Sequence, residues 1–240
     1  PKKRLTSRFF SRMTQLRSLT LPWISFPALS DPLNILTNLT ELSITGPVYL
    51  FEIDLPSLGV SLTSLSVSNS PTNDHHFLHL TNIRKLALVN CAEITDETLR
   101  YQTQLEELRI FDLVGVTDRA FEKKFRLLRI LYIRNVTQLT GNCLTSLQTL
   151  KHLQVYDSLL SSDTSLSCLT NLTSLTLGNS ENNGSTLPES TLIQMNELFT
   201  SNNFDGETLK KMTNLKMLSI AGYYSEKPDL PIGSLTSLKY

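Results

Sequence analysis

Cysteine is scarce in this sequence: only Cys91, Cys143 and Cys168 occur, an odd number with no CxxC or other metal-ligand spacing. That argues against a disulfide scaffold and against a cysteine-based zinc site. The thiols read as reduced, and a cytoplasmic home is expected. Net charge is missing as well. The 22 basic and 22 acidic side chains cancel, and the pI is near 7.3, so nothing global draws the chain to nucleic acid, to anionic lipid or to a basic partner. There is no run of 18 or more apolar residues, and the basic start Pro1-Lys2-Lys3-Arg4 is not followed by an apolar stretch. Neither a membrane span nor a signal peptide is visible. The basic start itself fits a nuclear-import or phosphate patch, but a solvated end is the simpler reading.

Catalytic constellations are lacking too. An acid, base or nucleophile needs a positioned partner, and no such set is present. His75 and His79 stand four apart, a spacing that binds metal when both lie on one helix face. The surrounding His75-His76-Phe77-Leu78-His79 reads instead as a solvated return loop. Gly141-Asn142-Cys143 and Gly184 lack phosphate-loop spacing and read as turns. No enzyme activity, metal or cofactor is expected. Four Asn-x-Ser/Thr sequons occur, at Asn38, Asn135, Asn171 and Asn183. Asn38 and Asn171 both fall in the string LTNLT, so repetition rather than glycosylation accounts for them.

What the sequence does have is a period. An L-x-x-L-x-L core, with Ile, Val or Met allowed as apolar equivalents, recurs at Leu16/Leu19/Leu21, Leu39/Leu42/Ile44, Leu62/Leu65/Val67, Ile83/Leu86/Leu88 and Leu105/Leu108/Ile110. It continues at Leu128/Leu131/Ile133, Leu150/Leu153/Val155, Leu172/Leu175/Leu177, Met195/Leu198/Thr200 and Leu215/Leu218/Ile220. Successive starts lie 20 to 23 residues apart, and Leu238 opens a further core. A fixed period of this length signals stacked supersecondary units.

On these residues the chain resembles the leucine-rich-repeat family over nearly its whole length. The resemblance implies an α/β solenoid, a curved horseshoe with a concave parallel β-sheet and an irregular convex side of short helices and turns. Asn90-Cys91 followed by Ile94-Thr95-Asp96-Glu97-Thr98-Leu99 resembles the cysteine-containing subtype, as do the tails at Val116-Thr117-Asp118 and Phe204-Asp205-Gly206. In that subtype Cys91 is a small side chain packed at the turn, and the array often belongs to an F-box ligase adaptor. No F-box is visible here.

In each core the second and third apolar positions should point inward and the residue between them outward. The segments Asp96 to Arg100, Asp118 to Lys124 and Gly206 to Met212 read as short helices. Ser180 to Thr186 and Ser225 to Ile232 read as irregular turns. Leu5 to Met13 resembles the helical half of a repeat without its strand. Residues 1–240 are therefore expected to form one solenoid domain that belongs to a longer array.

The outward positions form two columns. One runs Thr20, Ser43, Ser66, Ala87, Arg109, Tyr132, Gln154, Thr176, Phe199, Ser219, and the next runs Pro22, Thr45, Ser68, Val89, Phe111, Arg134, Tyr156, Gly178, Ser201, Ala221. Small residues flank a central aromatic and arginine block. Arg109, Phe111, Tyr132, Arg134 and Tyr156 should share three adjacent strands, a composition that binding hot spots favour. Arg84, Lys85, Arg129 and His152 surround them, with Lys151, Glu106 and Glu107. Six basic against two acidic residues leaves a local excess of four. The expected function is protein–protein interaction through this patch, with a partner that is acidic and apolar in part. Stacked neighbours on parallel strands also account for such a block without any partner. Extracellular recognition is a second reading and nucleic-acid binding a third, the latter weakened by the zero net charge.

Overall fold

The computed structural model describes residues 10–22, 33, 35–46, 58–122, 125–158, 166–178, 189–200 and 206–220. Their strands are β1 (Ser18–Pro22), β2 (Glu41–Thr45), β3 (Ser64–Ser68), β4 (Lys85–Val89), β5 (Glu107–Phe111), β6 (Ile130–Arg134), β7 (His152–Tyr156), β8 (Ser174–Gly178), β9 (Glu197–Thr200) and β10 (Met217–Ile220). All ten form one sheet in chain order. Each repeat core supplies one strand, and neighbours run parallel in the register that the period demands. Leu108 lies beside Leu131, Leu131 beside Leu153 and Leu153 beside Leu175.

A slip of one residue would turn every leucine outward, so burial on one face is what holds this register. Leu108, Ile110, Leu131, Ile133, Leu153 and Val155 are buried, while Arg109, Tyr132 and Gln154 between them are at least partly exposed. Each buried leucine contributes about 1.5–3 kcal/mol. Strand β8 departs from the clean alternation. Ser174 and Thr176 point outward yet are buried: Thr176 is a small side chain between Gln154 and Phe199, and Ser174 lies between His152 and Glu197 and donates to the Glu197 carboxylate at 3.1 Å. The core is continuous along the sheet, and Phe77, Phe121 and Leu144 join it from the return segments.

Two backbone devices repeat from coil to coil. At the entry to each strand one carbonyl accepts two N–H groups from the following coil. Glu106 O takes Arg129 N at 2.9 Å and Ile130 N at 3.1 Å, and Arg129 O takes Lys151 N at 2.8 Å and His152 N at 2.9 Å. At the exit the chain turns through a left-handed residue, at Gly46, Asn69, Asn90, Asp112, Asn135 and Asp157. Asn, Asp and Gly are the residues that tolerate this conformation. The same offset in the sequence holds Asn179, Asn202 and Gly222, which lie outside the described residues.

The return segments are short. Asp96–Arg100 is an α-helix as expected, and Gly206–Lys211 is another. Asp118 opens only a 3-10 turn, Asp118–Phe121, in place of the helix expected to reach Lys124. Gly141-Asn142-Cys143, read from sequence as a turn, opens another 3-10 segment, Gly141–Ser146, and Asp74–Phe77 is 3-10 as well. A tighter winding with a longer rise per residue suits a chain that must cross the back of each coil in few residues. Because the turn ends at Phe77, His75 and His79 do not share a helix face. Ser180 to Thr186, Ser225 to Ile232, Leu238 and the start Pro1 to Arg4 lie outside the described residues, as does Leu5 to Met13 before Phe10.

A ladder of carboxylates ties these turns together. Asp74 accepts from Thr95 N at 2.9 Å and from the Thr98 hydroxyl, Asp96 from Thr117 N at 2.6 Å and Thr117 Oγ1 at 2.7 Å, and Asp118 from Thr140 N at 2.9 Å and the Thr140 hydroxyl. Thr95, Thr117 and Thr140 are also the N-caps of their own turns. One Thr-Asp step therefore caps its own coil and grips the next. Asp96→Ala should leave Thr117 N without its acceptor and destabilise the fold by about 1–3 kcal/mol. A urea midpoint unchanged from the parent chain would contradict the ladder.

Candidate functional site

The central patch forms on β5 to β8. Arg109 and Tyr132 are register partners, as are Phe111 and Arg134, so each pair sits one strand spacing apart on the outer face. Arg109 lies forward over the Tyr132 ring, its guanidinium carbon 4.6 Å from the centroid. Arg134 lies back over Phe111 at 5.1 Å. These are two oppositely directed cation–π pairs across the same strand boundary, each worth about 0.5–1 kcal/mol at an exposed site.

Carboxylates fix both guanidinium groups. Arg109 donates Nε and Nη2 to Glu107 Oε1 at 2.7 and 2.6 Å, and Arg134 donates Nη2 to Asp112 Oδ2 at 3.0 Å. Asn135 adds a 3.0 Å bond to Asp112 Oδ1. Partial burial pushes the Asp112 carboxyl up, but the hydrogen bonds from Asn135 and Arg134 and the Arg134 charge outweigh it and hold the carboxyl below its usual 3.8. Asp112 thus stays an anion, and its clamp on Arg134 is present above that value and is lost as pH falls through the lower folded one.

Tyr156, register partner of Arg134, leans the other way. A Cβ on Gly178 would collide with Cδ1 and Cε1 of Tyr156, so the ring rests on the bare backbone of β8. Gly178→Ala should leave stability within about 1 kcal/mol, because a surface ring can swing aside. It should also displace Tyr156, visible as a change in its ring proton shifts. Unchanged shifts would show that the ring does not sit there.

Around this centre, Arg84 pairs with Glu106 at 2.9 Å. Lys85 and His152 occupy the first position of β4 and β7, and Arg129 and Lys151 directly precede β6 and β7. The charge differs from the sequence count. Asp112 and Asp157, the left-handed residues at the exits of β5 and β7, belong to the same surface. Six basic against four acidic residues leaves an excess of two rather than four. Sequence reading missed Asp112 as the clamp and Gly178 as the seat, although the recurrence of Gly, Asn and Asp one residue past each of β2 to β7 marks the former.

Among the described residues no group of three or more His, Cys, Asp or Glu is arranged to hold a metal, and no helix is long and apolar enough to cross a membrane. Cys91 is fully buried; burial raises its thiol pKa against the opposing hydrogen bonds of Ser70 and Val89. Cys143 is buried beside Asp118 and its thiol is raised further by burial and that charge. Both remain protonated packing groups rather than nucleophiles.

No family model matches this sequence, and no curated protein matches it. Solved structures do. A leucine-rich-repeat protein of Leptospira interrogans is similar at a TM-score of 0.65 and 16% identity, over 99% of this chain and 69% of that one. An internalin of Listeria monocytogenes is similar at 0.63 and 22%, over 98% and 74%. The structure of the Toll–Spatzle complex of Drosophila contains a chain similar at 0.56 and 13%, over 92% and 39%. None of the three is described as an F-box adaptor, so the likeness does not support the cysteine-containing subtype. Ten parallel rungs in chain order, one per repeat, together with these likenesses, give the chain the leucine-rich-repeat fold.

Proposed function

We propose that the chain is a non-catalytic module that binds another protein on the outer face of its sheet, centred on Arg109, Phe111, Tyr132, Arg134 and Tyr156, with Arg84, Lys85, Arg129 and His152 at the margin. The carrying observation is a parallel sheet whose outward columns are partly open. Parallel sheets are usually covered on both faces; here the return segments run behind the inward leucines, and the front presents aromatic and guanidinium groups already locked in place. Side chains fixed before binding lose less entropy on association. The reading is tested by whether the chain with Phe111, Tyr132 and Arg134 replaced by alanine still captures its partner.

The reading places the module in the reducing cytoplasm. Cys91 and Cys143 are buried and unpaired, and two sequon asparagines serve the repeat. Asn38 donates to Thr14 O at 2.9 Å and Asn171 to Gln148 O at 2.8 Å, the same inter-coil tie that Asn82 makes to Val60 O and Asn214 to Ile193 O. Secretory expression followed by intact-mass measurement, with and without deglycosylation, should show little or no glycan. Full occupancy at Asn38 and Asn171 would favour an extracellular surface module instead.

A further inference from the structure

We propose that the partner segment is polar at one end and apolar at the other, carrying an acidic side chain three to five residues from an aromatic or bulky aliphatic one, with the acid over the entry edge of β6 and β7. The proposal rests on the sheet face being the binding surface. It follows from where the cations are not used up. Arg84, Arg109 and Arg134 are each held by a carboxylate at 3.0 Å or closer. Among the described residues, Lys85, Arg129 and Lys151 make no ion pair, and all three are exposed. Arg129 and Lys151 hold the same position on successive coils, so their backbones are one strand spacing, about 4.8 Å, apart.

The exits of β5 and β7 have the opposite sign. Asp112 and Asp157 follow Phe111 and Tyr156 directly. From the entries of β6 and β7 to the exits of β5 and β7 the surface therefore runs from cationic, through Tyr132, Phe111 and Tyr156, to acidic, while the entry of β5 itself holds Glu106 and Glu107. An acidic side chain meets two cations at the entry and two carboxylates at the exit, and it is the entry that accepts it. Arg129 precedes Tyr132 by three residues and Lys151 precedes Tyr156 by five. At about 3.3 Å per residue these intervals span about 10–17 Å, and an extended segment lying along the strands has the same rise, which sets the spacing. A nucleic acid, charged at every step, would meet Glu106, Glu107, Asp112 and Asp157 on this surface; a segment charged at one end avoids the last two.

The probe is a phage-displayed library of random peptides of about a dozen residues, selected on the full chain, with enriched peptides then synthesised and titrated by fluorescence anisotropy. The expected result is enrichment of Asp or Glu three to five positions from Trp, Tyr, Phe or Leu. Binding should weaken about tenfold or more for the Arg129→Ala/Lys151→Ala double variant. In that variant, changing the peptide's acidic residue to its amide should have no further effect. Peptides that depend on Tyr132 but carry no acidic position, or that ignore the double variant, would overturn this inference and leave the binding face standing. Enriched peptides indifferent to replacement of Phe111, Tyr132 and Arg134 would remove the face itself. A selection that enriches nothing, or a single-stranded oligonucleotide that competes the peptides off at moderate salt, also overturns the inference.

Discussion

Replacing Leu175 by aspartate is expected to abolish the cooperative unfolding transition of the native chain. Leu175 is fully buried in β8, with Leu153 on one side and Leu198 on the other. A carboxylate there has only apolar neighbours in the ladder, and an unpaired buried charge costs about 3–5 kcal/mol even after relaxation. The lost leucine burial adds about 1.5–3 kcal/mol. Together these consume much or all of the about 5–15 kcal/mol that holds an ordinary domain folded. In a stack where each coil rests on its neighbours, a failed central rung also deprives both sides of an interface. Ser66→Asp, at an outward position of β3 between Ser43 and Ala87, is the control and should change stability by less than about 0.5 kcal/mol. Circular dichroism through a urea titration reads both. A soluble Leu175→Asp chain with the parent midpoint would show that the register is wrong.

The triple replacement of Phe111, Tyr132 and Arg134 by alanine should do the reverse, sparing the fold and removing capture. It takes away two cation–π pairs at about 0.5–1 kcal/mol each and one exposed ion pair worth about 0–1 kcal/mol, a modest loss for a stack whose inward leucines are untouched. Hot-spot side chains cost about 2 kcal/mol or more each when truncated. Even with incomplete additivity, a loss of about 4 kcal/mol weakens binding nearly a thousandfold. Asp112 also loses Arg134, so its carboxyl should move back toward its usual 3.8. Undiminished capture by a well-folded triple variant would end the proposed function.

The repeat was legible because the inward positions have no latitude: a polar side chain at Leu131 or Leu153 has nowhere to find water. Thr200, at the third apolar position of the ninth core, is buried like the leucines it replaces, so the period overrides residue type there. The return segments were less legible. Whether four to six residues after Thr117 or Thr140 wind as α or 3-10 depends on how far the coil must travel, which no local propensity records. The exit turns were readable in principle, since Asn69, Asn90, Asp112, Asn135 and Asp157 recur at one offset.

At the candidate site, sequence columns placed the right residues on adjacent strands but not their directions. Register makes Arg134 neighbour to both Phe111 and Tyr156. It lies over Phe111 because Asp112 holds it from that side, and Tyr156 turns to β8 because Gly178 leaves room. The unpaired positive charge accordingly sits at the edge of the patch, not in its centre.

The central claim is that a motif recurring every 20 to 23 residues sets leucines side by side on successive rungs. Methyl-to-methyl nuclear Overhauser contacts in a leucine-labelled chain test it most directly. Leu108 should contact Leu131, and Leu131 should contact Leu153, with all three shielded from a soluble paramagnetic probe. Contacts missing between these neighbours, or methyl signals bleached by the probe, would contradict it.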